Sequence, residues 1–213
     1  IFKVRTNDGT KSLLISFHDL EIKLKEIYKN DKIPSLFINH TLWNREDDRI
    51  FFFARGGWNG IGKEKKINQA FVMNSDGSKL KPLSKHIGGH PEWGYDGKMI
   101  GRIGNDQVIF DTNSQRVIGS IGTPSIFPNP EGDIALSPDG KWFVNGYKNK
   151  KKRENYYVIY NIKDGSHVRT KGFDIGKWIS GDLRQDPSPC WNRDSNKILV
   201  PGLSDNGKSR QLF

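Results

Sequence analysis

His90-Pro91-Glu92-Trp93-Gly94-Tyr95-Asp96-Gly97 is one of four segments built on a single pattern. It aligns without gaps with His40-Thr41-Leu42-Trp43-Asn44-Arg45-Glu46, Asp133-Ile134-Ala135-Leu136-Ser137-Pro138-Asp139-Gly140 and Ser188-Pro189-Cys190-Trp191-Asn192-Arg193-Asp194-Ser195. Three residues after each start stands a large apolar side chain: Trp43, Trp93, Leu136 or Trp191. Six residues after it stands an acid: Glu46, Asp96, Asp139 or Asp194. A strand-like run follows each time, then a second strand and a turn. The starts lie 50, 43 and 55 residues apart. Self-similarity at that period, with several short strands per repeat, is the signature of β-propeller blades, each a four-stranded antiparallel sheet.

Working outward, β-branched and aromatic runs recur at Arg49–Ala54, Gln69–Asn74, Gln107–Asp111, Lys141–Asn145, Tyr156–Asn161 and Lys197–Val200. Asp8-Gly9, Asp76-Gly77, Asp96-Gly97, Asp139-Gly140 and Asp164-Gly165 are hairpin turn signals placed among them. His18–Lys29 reads either as a helix or, through Leu20, Ile22 and Leu24, as an alternating strand. The fold expected is all-β: a propeller segment, 1–213, of about four blade-equivalents. Their bounds fall near 1–36 (partial), 37–86, 87–129, 130–183 and 184–213 (partial). A typical propeller has more blades, so a longer parent chain is expected. A β-sandwich is the alternative, but it does not predict a repeated register.

The 213 residues include six Trp, six Tyr and twelve Phe, too many aromatics for a disordered chain. The net charge of +10 favours polyanionic partners. The densest basic run, Lys148–Arg153, reads as a solvated hairpin loop. No apolar run is long enough to insert in a membrane, and a periplasmic or secreted location is expected over a cytoplasmic one. The single Cys190 excludes an internal disulfide framework and multi-cysteine zinc sites, and reads as a small core residue. Gly57–Lys63 has phosphate-loop spacing, but Glu64 stands where Ser or Thr belongs and no strand–loop–helix context exists. Asn39-His40-Thr41 matches a glycosylation sequon at a strand start that reads as buried. No nucleophile elbow occurs. No nucleic-acid module is recognisable, and the aromatics sit at core positions.

In a propeller the first strand of each blade lines the central channel. Equivalent positions of successive blades therefore converge, here His40, His90, Asp133 and Ser188, with Gln185 and Asp186 just before the last. Trp43, Trp93, Leu136 and Trp191 share one repeat position and read as core. Trp58, in the glycine-rich loop, is the better candidate for stacking on a ligand ring.

The segments His40–Trp43, Gly89–Trp93, Ser137–Gly140 and Gln185–Trp191, with the strand Gln69–Ser78, resemble the propeller-type polysaccharide lyases, oligogalacturonate lyase and the propeller ulvan lyases among them. The resemblance runs over about residues 37–213, and Ser137-Pro138-Asp139-Gly140 alone is common to many TolB-like propellers. It implies cleavage of an acidic, uronate-containing polysaccharide or oligosaccharide by β-elimination. His90 is then the base, or the group polarising the substrate carboxylate, with His40 assisting; imidazole titrates near neutrality, which suits such work. Oligogalacturonate lyases hold a divalent metal through histidines on later blades. The matching residues are Asp133, Asp186 and Ser188, whose oxygens favour calcium or magnesium where a histidine set favours manganese or zinc; a divalent ion, calcium or manganese, is the cofactor expected. A family arginine aligns with Gln69, which becomes a substrate-binding position. By position alone, Arg184 offers a guanidinium to the substrate carboxylate and Tyr147 a general acid. No organic cofactor is expected. The alternative is a non-catalytic TolB-like propeller that binds glycans or proteins.

Overall fold

The computed structural model describes residues 1–29, 32–33, 35–58, 66–128, 132–204 and 206–213. Of the Gly57–Lys63 stretch only Gly57 and Trp58 are among them. Among the described residues the structure is all-β apart from one helix, and the chain divides into two compact units, Ile1–His86 and Ile87–Phe213. Among the described residues no helix is long and apolar enough to cross a membrane.

In the first unit a hairpin (Phe2–Val4 with Lys11–Leu13) precedes the helix, Phe17–Tyr28. Ser16 and Asp19 form a reciprocal capping box that satisfies the first free amides. Leu20 and Leu24, one turn apart, are fully buried, whereas Ile22 is 44% exposed. The helical period thus prevails over the apparent alternation. The helix packs on a four-stranded antiparallel sheet, Phe37–Trp43, Arg49–Gly56, Ile67–Asn74 and Lys81–Pro82. Ile50, Phe52 and Ala54 alternate onto the helix side and share its core with Phe71 and Met73.

The second unit contains two such meanders. Gly88–Trp93, Lys98–Ile103, Asp106–Asp111 and Arg116–Ser120 form one; Asp133–Leu136, Trp142–Asn149, Glu154–Asn161 and His167–Arg169 form the other. Their first strands lie side by side in parallel, joined at the pair Asp133 and His90. Two hairpins follow, Cys190–Trp191 with Ile198–Leu199 and Pro201–Leu203 with Arg210–Leu212. A sandwich does not juxtapose first strands this way; successive propeller blades do.

One repeat position explains the recurrent turn better than the acid does. Four residues after each start stands Asn44, Gly94, Ser137 or Asn192. Asn44 Oδ1 accepts the amides of Asp48 and Arg49, and Asn192 Oδ1 those of Asn196 and Lys197. Ser137 Oγ accepts the amide of Trp142. The polar side chain caps the turn between first and second strands, and the acid supports it: Glu46 accepts from Asn44, and Asp139 from Ser137.

Three core assignments need correction. Trp93 and Leu136 are buried, but Trp43 is 46% exposed on the edge strand of its sheet. Trp191 is half-buried and donates its indole N–H to Ala135 O at 3.1 Å. Cys190 is exposed.

Candidate active site

A cleft of about 320 Å3 in the second unit is lined by His90, Asp133, Lys148, Lys150, Arg184 and Asp186. His90 stands where the first strand slips its register between Gly88 and Glu92, a bulge opened by Gly89 at φ 73°. Bulges re-aim side chains, and the His90 side chain is 51% exposed. The parallel pairing sets Asp133 beside it, with Oδ1 of Asp133 hydrogen-bonded to Nδ1 of His90. Asp133 itself is buried. Its Oδ2 accepts both the backbone N–H of Ser188 at 2.7 Å and the Ser188 hydroxyl at 2.9 Å. Ser188 reaches that position with φ at 34°. Its hydroxyl meets a carboxylate rather than an imidazole, so the three residues are not wired as a serine nucleophile triad.

The cleft also holds an ion-pair cluster. Asp186 accepts from Arg184 Nε at 2.9 Å and from Lys148 Nζ at 3.1 Å. Only 11% of the Lys148 side chain is exposed, so this member of the basic run is not a solvated loop residue. Burial pushes the Asp186 carboxyl upward, but the hydrogen bonds and charges of Lys148 and Arg184 outweigh it and hold the group below the ordinary carboxylate range. Tyr157 and Asn155, from the strand paired with that of Lys148, donate to Pro187 O at 2.8 Å and Gln185 O at 3.4 Å. They fix the segment carrying Asp186 and Ser188. A second cavity of about 630 Å3 shares Arg184 and Asp186 and adds Arg210.

The structure thus brings His90, Asp133, Ser188, Arg184 and Asp186 together. Tyr147 alternates to the other face of its strand from Lys148. There it stacks on Tyr156 at 5.5 Å and packs against the core around Phe143. His40, Gln69 and Trp58 belong to the first unit. His40 has φ 54° and lies edge-on to Phe53 at 5.7 Å. Gln69 spends its amide N–H groups on Ala70 O and Leu83 O. Trp58 anchors its indole N–H on Ile67 O, with Lys66 Nζ at 4.9 Å and the Arg55 guanidinium at 5.3 Å from its ring. Two residues escaped the sequence reading. Lys148 was hidden in a charge run, although the alternation Val144, Gly146, Lys148 off a buried strand marks it. Arg55, whose guanidinium also lies 4.8 Å from the Phe53 ring, carried no local signal.

No protein-family model matches the chain, and no curated protein matches its sequence. Two solved structures are similar in fold. One is an oligogalacturonate lyase in complex with manganese, with TM-score 0.62 and 15% identity over 98% of this chain and 51% of that one. The other is the oligogalacturonate lyase of Vibrio parahaemolyticus, with TM-score 0.63 and 14% identity over 99% of this chain and 52% of that one. The chain therefore spans about half the length of these lyases. At such identity the likeness establishes the fold, the all-β propeller.

The manganese of the first neighbour raises the question of whether Asp133, Asp186 and Ser188 suit a divalent ion. They do not. Both Asp133 oxygens are taken, one by His90 and one by Ser188. Asp186 is neutralised by two cations. Among the described residues no three His, Cys, Asp or Glu side chains are grouped so as to hold a metal ion. Gln185 does bury an amide oxygen without a hydrogen-bond partner, but one amide oxygen falls far short of the six or more donors calcium takes.

Proposed function

We propose that this chain carries the cleavage cleft of a lyase that splits uronate-containing oligosaccharide or polysaccharide by β-elimination. The observation that carries the reading is one cleft holding a half-exposed imidazole, His90, with the cations Lys148, Lys150 and Arg184. The reaction needs those two elements together. A cation must lower the acidity barrier at C5 by binding the C6 carboxylate, and a base must take the C5 proton. Arg184 suits the first role, because its planar fork matches a carboxylate; Asp186 engages its Nε edge, and Nη1 makes a long hydrogen bond to Gly181 O at 3.4 Å. Lys150 adds a second charge at the rim. His90 takes the proton at Nε2 as the C5–H bond breaks. The released electron pair forms the C4–C5 double bond, the C4–O4 bond breaks, and O4 leaves with a proton from solvent. His90 then returns its proton to water.

The fold shared with two oligogalacturonate lyases supports this reading. The test is the ultraviolet absorbance of the unsaturated uronate product across a panel of uronate polymers. A second reading, a propeller that binds the same acidic glycans without cleaving them, is favoured by Gln69. At the position of a family arginine it offers no charge, and its amide is committed to backbone carbonyls. A flat absorbance trace with measurable glycan binding would select that reading.

A further inference from the structure

We propose that Asp133, itself held by Ser188, is a positioning residue that sets the tautomer of His90. The inference rests on the lyase reading for its catalytic meaning, but the geometry stands by itself. A neutral imidazole carries one N–H, and the hydrogen bond made by one nitrogen decides which nitrogen holds it. Asp133 is a buried carboxylate, an acceptor only, and it addresses Nδ1 of His90. The proton therefore sits on Nδ1, and Nε2 becomes the basic nitrogen in a side chain that lines the cleft. Asp133 cannot swing away, because its other oxygen receives two donors from Ser188. Backbone pairing fixes the remaining freedom, since Asp133 and His90 are register partners on adjacent parallel strands.

The arrangement also accounts for two oddities. Ser188 adopts a left-handed φ of 34°, rare for a residue other than glycine. In that conformation its amide and its hydroxyl meet the same carboxylate oxygen. And Asp133, which the family resemblance would give to a metal, spends both oxygens inside the protein. Three residues at equivalent positions of three successive blades thus form one directional chain, from Ser188 through Asp133 to His90. The carboxylate occupies the place of the orienting acid in a catalytic triad, where replacement by the amide leaves the shape intact but selects the wrong tautomer.

The experiment reads the tautomer directly. In the 15N-labelled protein, long-range nitrogen–proton correlation of His90 is recorded under conditions where the ring is neutral. The native protein is expected to hold the proton on Nδ1. Asp133→Asn replaces an acceptor by a group able to donate, and is expected to move the proton to Nε2. It should lower kcat at least a hundredfold and change KM less than threefold. Ser188→Ala, which keeps the backbone donor, is expected to give a mixture of tautomers and a smaller loss, with Ser188→Thr restoring the native state. Should Asp133→Asn fail to fold, the Ser188 pair still decides the matter. An Nδ1 proton that persists in Asp133→Asn, or a tautomer indifferent to Ser188→Ala, overturns the proposal. The predicted tautomer change with no elimination activity in the native protein would leave the positioning role standing and remove the lyase reading.

Discussion

Lys148 and Asp186, both lining the cleft, are joined at 3.1 Å, the lysine on a blade strand and the aspartate on the segment that leads to the next blade. The pair brings a cation to the cleft and also pins the stretch that carries Ser188.

Asp186→Asn should therefore destabilise the protein by about 1 kcal/mol, the modest figure reflecting a carboxylate still partly in contact with water. The acid limb should change as well. Because the folded-state carboxyl is held below its ordinary value of 3.8, its contribution is complete above that value and is lost as pH falls through the lower folded one. Urea unfolding at neutral pH and near pH 3 checks both: the variant's deficit should shrink in acid.

Arg184→Ala should lower kcat/KM for a uronate oligomer roughly tenfold or more, about 1.4 kcal/mol of lost carboxylate stabilisation. Arg184→Lys should recover only part of this, because an ammonium cannot meet a carboxylate with two parallel N–H groups. Steady-state kinetics on one defined oligomer measures it.

Chelation should leave the unfolding midpoint and the elimination rate unchanged, because the Asp133 and Asp186 oxygens are already committed within the protein. A midpoint that climbs on titration with manganese or calcium, following the mass-action dependence of a ligand bound to the native state, would show that those oxygens are released to an ion.

Asn44→Ala should cost about 1–2 kcal/mol, since the side chain caps two backbone amides and is almost wholly buried. Asn192→Ala removes the same pair of bonds from a half-exposed turn and should cost less. Chemical denaturation of the two variants gives the ranking.

The residues that a reader of the chain can align are those whose role repeats. Trp93 and Leu136 mark their blades because both fill the core at that position. The register pair of Asp133 and His90 follows from the same alignment, since equivalent positions of neighbouring blades meet. The turn-capping Asn44 and Asn192 escaped because Gly94 breaks the pattern in one blade. The helix was ambiguous because Leu20, Ile22 and Leu24 fit a strand period, and only the Ser16–Asp19 cap tips the balance. Long-range partners outside the repeat positions were illegible. Nothing near Asp186 or Asp133 announces that Lys148 and the Ser188 backbone will claim their oxygens, so a carboxylate pair that looks available to a metal in sequence is spent in the fold. Tyr147 likewise neighbours Lys148 in the chain, yet strand alternation carries it onto Tyr156 and the core around Phe143.

The central claim is that His90 removes a proton from a uronate held by the cations of this cleft. The most direct measurement is ultraviolet absorbance during incubation of the protein with oligogalacturonate and other uronate polymers, beside a His90→Ala variant of equal thermal stability. The account predicts a steady rise for the native protein that falls by at least a hundredfold in the variant. A rise that His90→Ala leaves intact would contradict it.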